Sequence, residues 1–138
     1  MFDHIVVAVD GSGSSKKALD AARELAGLTS GTVRVLHVRE HGFAGRAGEV
    51  EFEGREEAHA MVDEAVAGLQ AAGTTATGPV RGALHGHAAR EIVDEATEVG
   101  ADVIVVGSRG HSELTEILLG STANKVLHLA SVPVLVVH

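Results

Sequence analysis

Val103-Ile104-Val105-Val106-Gly107-Ser108-Arg109-Gly110, read with Gly120-Ser121-Thr122 a short loop later, decides the fold. An unbroken apolar run of strand length ends in a glycine pair, and a further glycine with its hydroxyl neighbours opens a helical pattern. A run that is apolar on both faces belongs to a parallel sheet covered on both sides. Strand end, bare backbone and helix N-terminus are also the parts from which proteins build phosphate sites.

The rest of the chain repeats this alternation. His4-Ile5-Val6-Val7-Ala8-Val9 is another buried run, punctuated by Asp10-Gly11-Ser12-Gly13. A helix follows with Ala18, Ala22, Leu25 and Ala26 on one face, and Gly31 ends it. Val33 to Val38 reads as a second strand, and residues 41–55, rich in glycine and glutamate, as a surface loop. From about Glu56 to Ala72 a helix returns, with Ala58, Val62, Ala65, Leu69 and Ala72 at helical spacing. Thr74 to Val80 is a weak strand containing Gly78 and Pro79; proline cannot donate to a ladder, so its expected place is a sheet edge. Ala89, Ile92, Val93 and Ala96 mark a third helix closed by Gly100, and Ala101 to Val106 is the fourth strand. The last helix is expected to bury Ala123, Val126, Leu127 and Ala130, and Val132 to Val137 is the last strand. The pattern predicts an α/β fold over one domain, residues 1–138: an open, doubly wound parallel sheet with helices on both faces.

Composition narrows the function. The 138 residues suffice for one core, and no apolar run is long enough to span a bilayer. Met1-Phe2-Asp3-His4 shows no basic region or cleavage site of a signal peptide, so no membrane partner is expected. Cysteine is absent, which removes disulfides and thiolate chemistry and fits a reducing cytoplasm. The net charge is −8 and only Lys16, Lys17 and Lys125 are lysines, so no basic stripe exists for nucleic acid. Two readings of that charge stay open, adaptation to high salt and an ordinary acidic surface.

In an open α/β sheet, ligands bind beyond the carboxyl ends of the strands where the winding reverses. If the first and fourth strands are neighbours, Asp10 and Gly107 project into one crevice. Gly107, Gly110 and Gly120 would let backbone approach phosphate oxygens without a Cβ clash. Ser121 and Thr122 offer hydroxyls and N–H groups at the positive end of a helix. Arg109 and His111 flank the loop, either as cations near an anion or as solvated side chains. Asp10 is read as a partner for a ribose hydroxyl or for a metal that accompanies a triphosphate; the alternative is a turn residue beside the helix that follows, with Ser12 as the other capping candidate. His85-Gly86-His87 resembles a metal pair, but two histidines without a third ligand do not make a site. No P-loop, no complete dinucleotide fingerprint and no nucleophile elbow occurs.

The spacing Gly107-x2-Gly110-x9-Gly120-Ser121 resembles the ATP-binding signature of the universal stress protein family. Ile5 to Ser12, Ala101 to Gly110, Leu118 to Thr122 and Val132 to Val137 resemble its opening strand, fourth strand with phosphate loop, and closing elements. The resemblance implies a five-stranded parallel sheet in the order 3-2-1-4-5, like that of adenine-nucleotide alpha-hydrolases. It implies a homodimer joined through the last strand, and ATP, AMP or ADP as ligand, with magnesium held through Asp10 and the nucleotide. By position Val38, at the end of the second strand, would offer backbone groups to adenine. Asp10, with Gly11 and Ser12, would lie near ribose. Gly107, Ser108, Arg109, Gly110, His111, Gly120, Ser121 and Thr122 would surround the phosphates. The expected function is a cytoplasmic, nucleotide-dependent switch or holder in stress response. Fast phosphoryl transfer needs a positioned nucleophile and concentrated positive charge, which the signature lacks. The rivals are a nucleotide-free dimerisation module, a slow ATP-hydrolysing or adenylating enzyme on the same fold, and a relative of electron-transfer flavoproteins.

Overall fold

The computed structural model describes residues 1–43, 48–51, 54–108 and 119–138. Along the chain run β1 (His4–Ala8), α1 (Gly13–Thr29), β2 (Thr32–Phe43), β3 (Glu49–Glu51) and α2 (Arg55–Ala71). Then follow β4 (Thr75–Thr77), β5 (Val80–Leu84), α3 (Ala88–Glu98), β6 (Val103–Gly107), α4 (Ser121–Leu129) and β7 (Val134–Val137). The sheet order is β3-β2-β1-β6-β7, with β4 and β5 also paired to β2. Every pairing is parallel except β2 with β3. Taking β4 and β5 as one interrupted strand, this is the expected order 3-2-1-4-5.

Alternation along the strands makes two cores. Ile5, Val7, Val33, Val35, Val103 and Val105 face α1 and α2, meeting Ala18, Ala22, Ala26, Val62 and Leu69. Val6, Leu36, Ile104 and Val106 face α3 and α4, meeting Ala89, Ile92, Val93, Ala96, Ala123 and Val126. Gly100, at φ 68°, closes α3 as expected, and Ala101 N–H returns to Ala96 O.

Four expectations are corrected. The stretch 41–55 is not all loop, because β2 runs on to Phe43 and pairs antiparallel with β3. The expected strand 74–80 is broken into β4 and β5 at Gly78-Pro79, where a Cβ on Gly78 would fall on the Val35 carbonyl and on Val62 Cγ1. Among the described residues both pieces pair with β2 alone, which keeps the expected edge position. Leu127 does not join the core; it is 42% exposed, at the margin of the stripe that buries Ala123 and Val126. Ala72 is the exposed C-cap of α2 and not a core position.

An ion-pair network bolts α3 to β2 and β5. Glu95 is buried, with Arg34 Nε at 2.8 Å on one carboxylate oxygen and Arg81 Nη1 at 2.8 Å on the other. Arg81 also meets Glu91 at 2.8 Å and Glu98 at 3.3 Å. Burial alone would lower the Arg81 pKa, but the Glu95 hydrogen bond and the charges of Glu91 and Glu98 outweigh it and raise it.

Candidate functional site

The winding reverses at β1: β2 and the edge strands lie on one side, β6 and β7 on the other. The carboxyl ends of β1 and β6 therefore lie side by side at the centre of the sheet, the place where an α/β fold holds ligands.

After β1 the chain turns at once. Asp10 Oδ1 accepts the Ser12 N–H at 2.8 Å, and Gly11 between them has φ 82°, a conformation that favours glycine. Ser12 is the N-cap of α1: its Oγ accepts the Ser15 N–H at 3.3 Å, and Ser15 Oγ donates to Ser12 O at 3.1 Å. Of the two capping candidates, Ser12 caps and Asp10 makes the turn that presents it.

Gly107 ends β6 against this turn. A Cβ on Gly107 would lie 2.6 Å from Ser14 Oγ and 2.8 Å from the Ser14 carbonyl carbon. The missing side chain thus admits the first turn of α1, a packing role that spacing alone did not reveal. Ser108 is buried, and its backbone is spent within the fold: its N–H donates to Val137 O at 2.7 Å, and its carbonyl accepts the Gly120 N–H at 2.6 Å. Gly120 is the N-cap of α4 and carries no side-chain cap. The first-turn amides of Ser121, Thr122 and Ala123 have no helical acceptor, and the Ser121 and Thr122 side chains are exposed. Arg109, Gly110 and His111 lie outside the described residues.

Val38 flanks the other side of β1. It does not end its strand as expected, since β2 continues to Phe43. Its backbone direction follows from its neighbours. His37 N–H goes to Pro79 O on the β5 side, and His41 O accepts from His85 N–H on that side too. Leu36 O accepts from Val9 N–H on the β1 side, and Gly42 pairs with Val50 of β3 on the same inner side. Backbone groups of successive strand residues alternate, so the N–H and C=O of Val38 and Glu40 point inward, into the gap between the end of β1 and β3.

His85-Gly86-His87 lies at the turn between β5 and α3. His85 Nδ1 lies 3.1 Å from Glu40 Oε2, and His87 is the N-cap position of α3. Among the described residues no group of three or more metal-capable side chains gathers. Sequence reading missed His37, 5% exposed and bonded to Val9 O through Nδ1 at 2.6 Å. A histidine inside the apolar run Val35-Leu36-His37-Val38 was the available signal.

A family model, described as the universal stress protein family, matches residues 1–138. The chain belongs to the universal stress protein family. It is 37% identical to universal stress protein YxiE of Bacillus subtilis, across 99% of each chain. Two solved relatives are complexes with a nucleotide. The universal stress protein from Archaeoglobus fulgidus in complex with dAMP superposes with a TM-score of 0.76, at 29% identity and 100% coverage of both chains. A universal stress protein in complex with cAMP superposes with a TM-score of 0.70, at 31% identity, over 99% of this chain and 97% of that one. No helix among the described residues is long and apolar enough to cross a membrane.

Proposed function

We propose that this universal stress protein binds an adenine nucleotide in the crevice over β1, with the base against β2 and the phosphates at the N-terminus of α4. The observation that carries this reading is the inward N–H and C=O of Val38. The Watson–Crick edge of adenine presents an acceptor at N1 beside a donor at N6, which complements that pair. Guanine presents the reverse order and would leave both backbone groups unmatched, at about 1–3 kcal/mol for each unsatisfied group. Relatives in complex with dAMP and with cAMP support the choice of base.

The phosphates then meet the first-turn amides of α4. Hydrogen bonds to a charged oxygen, about 1.5–3 kcal/mol each, outweigh the helix dipole at about 0.3–1 kcal/mol. Asp10 stands on the β1 side of the crevice, placed to accept from ribose hydroxyls or to hold a magnesium ion brought by ATP. The resulting protein is a cytoplasmic switch or holder in stress response, with ATP turnover below the common enzymatic range of about 1–10³ s⁻¹. Its assembly is a homodimer through β7.

Calorimetry with AMP, ATP plus magnesium, and GMP tests the ligand. The expected dissociation constant for the adenine nucleotides is micromolar, about −8 kcal/mol, with GMP weaker by at least about tenfold. Folded protein that gives no heat with AMP or ATP overturns the reading.

A further inference from the structure

The backbone of Val9 is held in two different ways. Its N–H donates to Leu36 O at 2.9 Å, the regular next rung after the registered pair Ala8 and Leu36. In a continuing parallel ladder the following rung would run from Val38 N–H to Val9 O. Among the described residues no such bond is made. The Val9 carbonyl is taken instead by the His37 side chain, whose Nδ1 lies 2.6 Å away. A carbonyl only accepts, so Nδ1 carries the hydrogen and donates it.

We propose that His37 is a positioning residue that stops the β1–β2 ladder. By occupying the carbonyl that Val38 would otherwise use, it leaves the Val38 N–H directed into the crevice. It also fixes the last residue before Asp10, so one imidazole sets both the base-reading edge and the start of the turn that carries the carboxylate. The assignment rests on the adenine-nucleotide reading for its ligand but not for its geometry.

His37 is buried on a strand whose neighbours Val35 and Leu36 are fully buried aliphatics, and there its ring serves the Val9 carbonyl. With leucine at this position the Val9 carbonyl would lose its partner, and a buried acceptor without one is costly. The nearest replacement is the Val38 N–H, the donor that ladder geometry already favours. The strand pair would then zip one rung further and withdraw that donor from a ligand.

Two measurements test this on the full chain. In the ligand-free protein, amide exchange at Val38 should be slower in His37→Leu than in wild type, because the added rung protects that N–H. His37→Asn, which keeps a side-chain N–H close to the place of Nδ1, should restore wild-type exchange. AMP affinity should fall roughly tenfold in His37→Leu, as expected for one lost hydrogen bond to the base, and recover in His37→Asn. Unchanged Val38 exchange in His37→Leu, or wild-type AMP affinity in that variant, overturns the assignment. Should His37→Leu fail to fold, the nitrogen-15 spectrum of the wild-type imidazole decides: a ring without a proton on Nδ1 overturns it. If wild type binds no AMP while Val38 exchange responds as stated, the nucleotide reading fails and the ladder-stopping role stands.

Discussion

The Ser108 carbonyl accepts the Gly120 N–H at 2.6 Å, joining the end of β6 to the N-cap of α4 across the signature loop. Ser108 is itself tied to β7 through Val137 O. The N-terminus of α4 is therefore fixed to the sheet, and its orientation needs no ligand to set it. The helix amides left without an intrahelical acceptor are those of the first turn beyond Gly120.

Thr122→Glu exploits that arrangement. A carboxylate in the first turn favours the helix dipole and should leave stability unchanged or raise it by about 0.3–1 kcal/mol. The same carboxylate occupies the place proposed for the phosphates and repels them. The expected outcome is a melting temperature at or above wild type with AMP affinity down by more than about tenfold. Calorimetry and a thermal melt on one preparation check it, and wild-type affinity would remove the phosphates from this helix end.

Gly107→Ala tests the packing contact of β6 with α1. The new Cβ would meet Ser14 at 2.6 Å on Oγ and 2.8 Å on the carbonyl carbon. The Oγ can rotate away, but the backbone carbon cannot. Overpacking of this kind costs about 1–3 kcal/mol, to be read from urea denaturation. A variant as stable as wild type would mean that the first turn of α1 yields freely.

The sheet was legible because its strands are apolar on both faces, and Val103 to Val106 and Ile5 to Val9 could hardly be anything else. The β2 extension was not legible. His41-Gly42-Phe43 has no alternation, and its pairing is set by β5 on one side and β3 on the other. Leu127 was misplaced because it lies at the margin of the apolar stripe of α4, and only the position of the sheet decides how far that stripe is covered. At the candidate site, residue types pointed to the loops after β1 and β6, but they could not say which backbone groups the fold itself consumes. Ser108 and Gly120 bond each other, and Gly107 makes room for Ser14.

Asp102 should give the protein an acid-sensitive contribution. Its carboxylate accepts the N–H groups of Asp3 at 3.1 Å and His4 at 3.2 Å, securing the start of β1. Burial pushes its pKa up, but the backbone N–H groups of Asp3 and His4, with those of Asp102 and Phe2, outweigh burial and hold it below the usual 3.8. A folded pKa below the unfolded one stabilises fully above the unfolded value, and that contribution is lost as pH falls through the folded value. Wild type should therefore be more stable than Asp102→Asn near neutral pH, and the difference should shrink below about pH 4. Urea midpoints across that range check this; a difference that grows on acidification would reverse the sign.

Assembly gives the last prediction. Among the described residues β7 pairs with β6 alone, which leaves its other edge open in a single chain. Pro133 O accepts the Ile104 N–H, which turns the backbone of Pro133 and Leu135 toward β6 and that of Val134 and Val136 outward. Pro133, which has no N–H, therefore faces inward and leaves the donors of the outer edge in place. Leu135 is also 42% exposed, as is Leu127 on α4. An unprotected apolar edge invites pairing. The same strand of a second chain, antiparallel about a two-fold axis, would satisfy the outward groups and cover Val134, Leu135 and Val136. Leu135→Glu places two like charges near that axis, so monomers should replace dimers, most completely at low salt where screening is weak. Light scattering with wild type and variant at micromolar concentration decides. A monomeric wild type, or a dimer that Leu135→Glu does not weaken, would place any interface elsewhere on the protein.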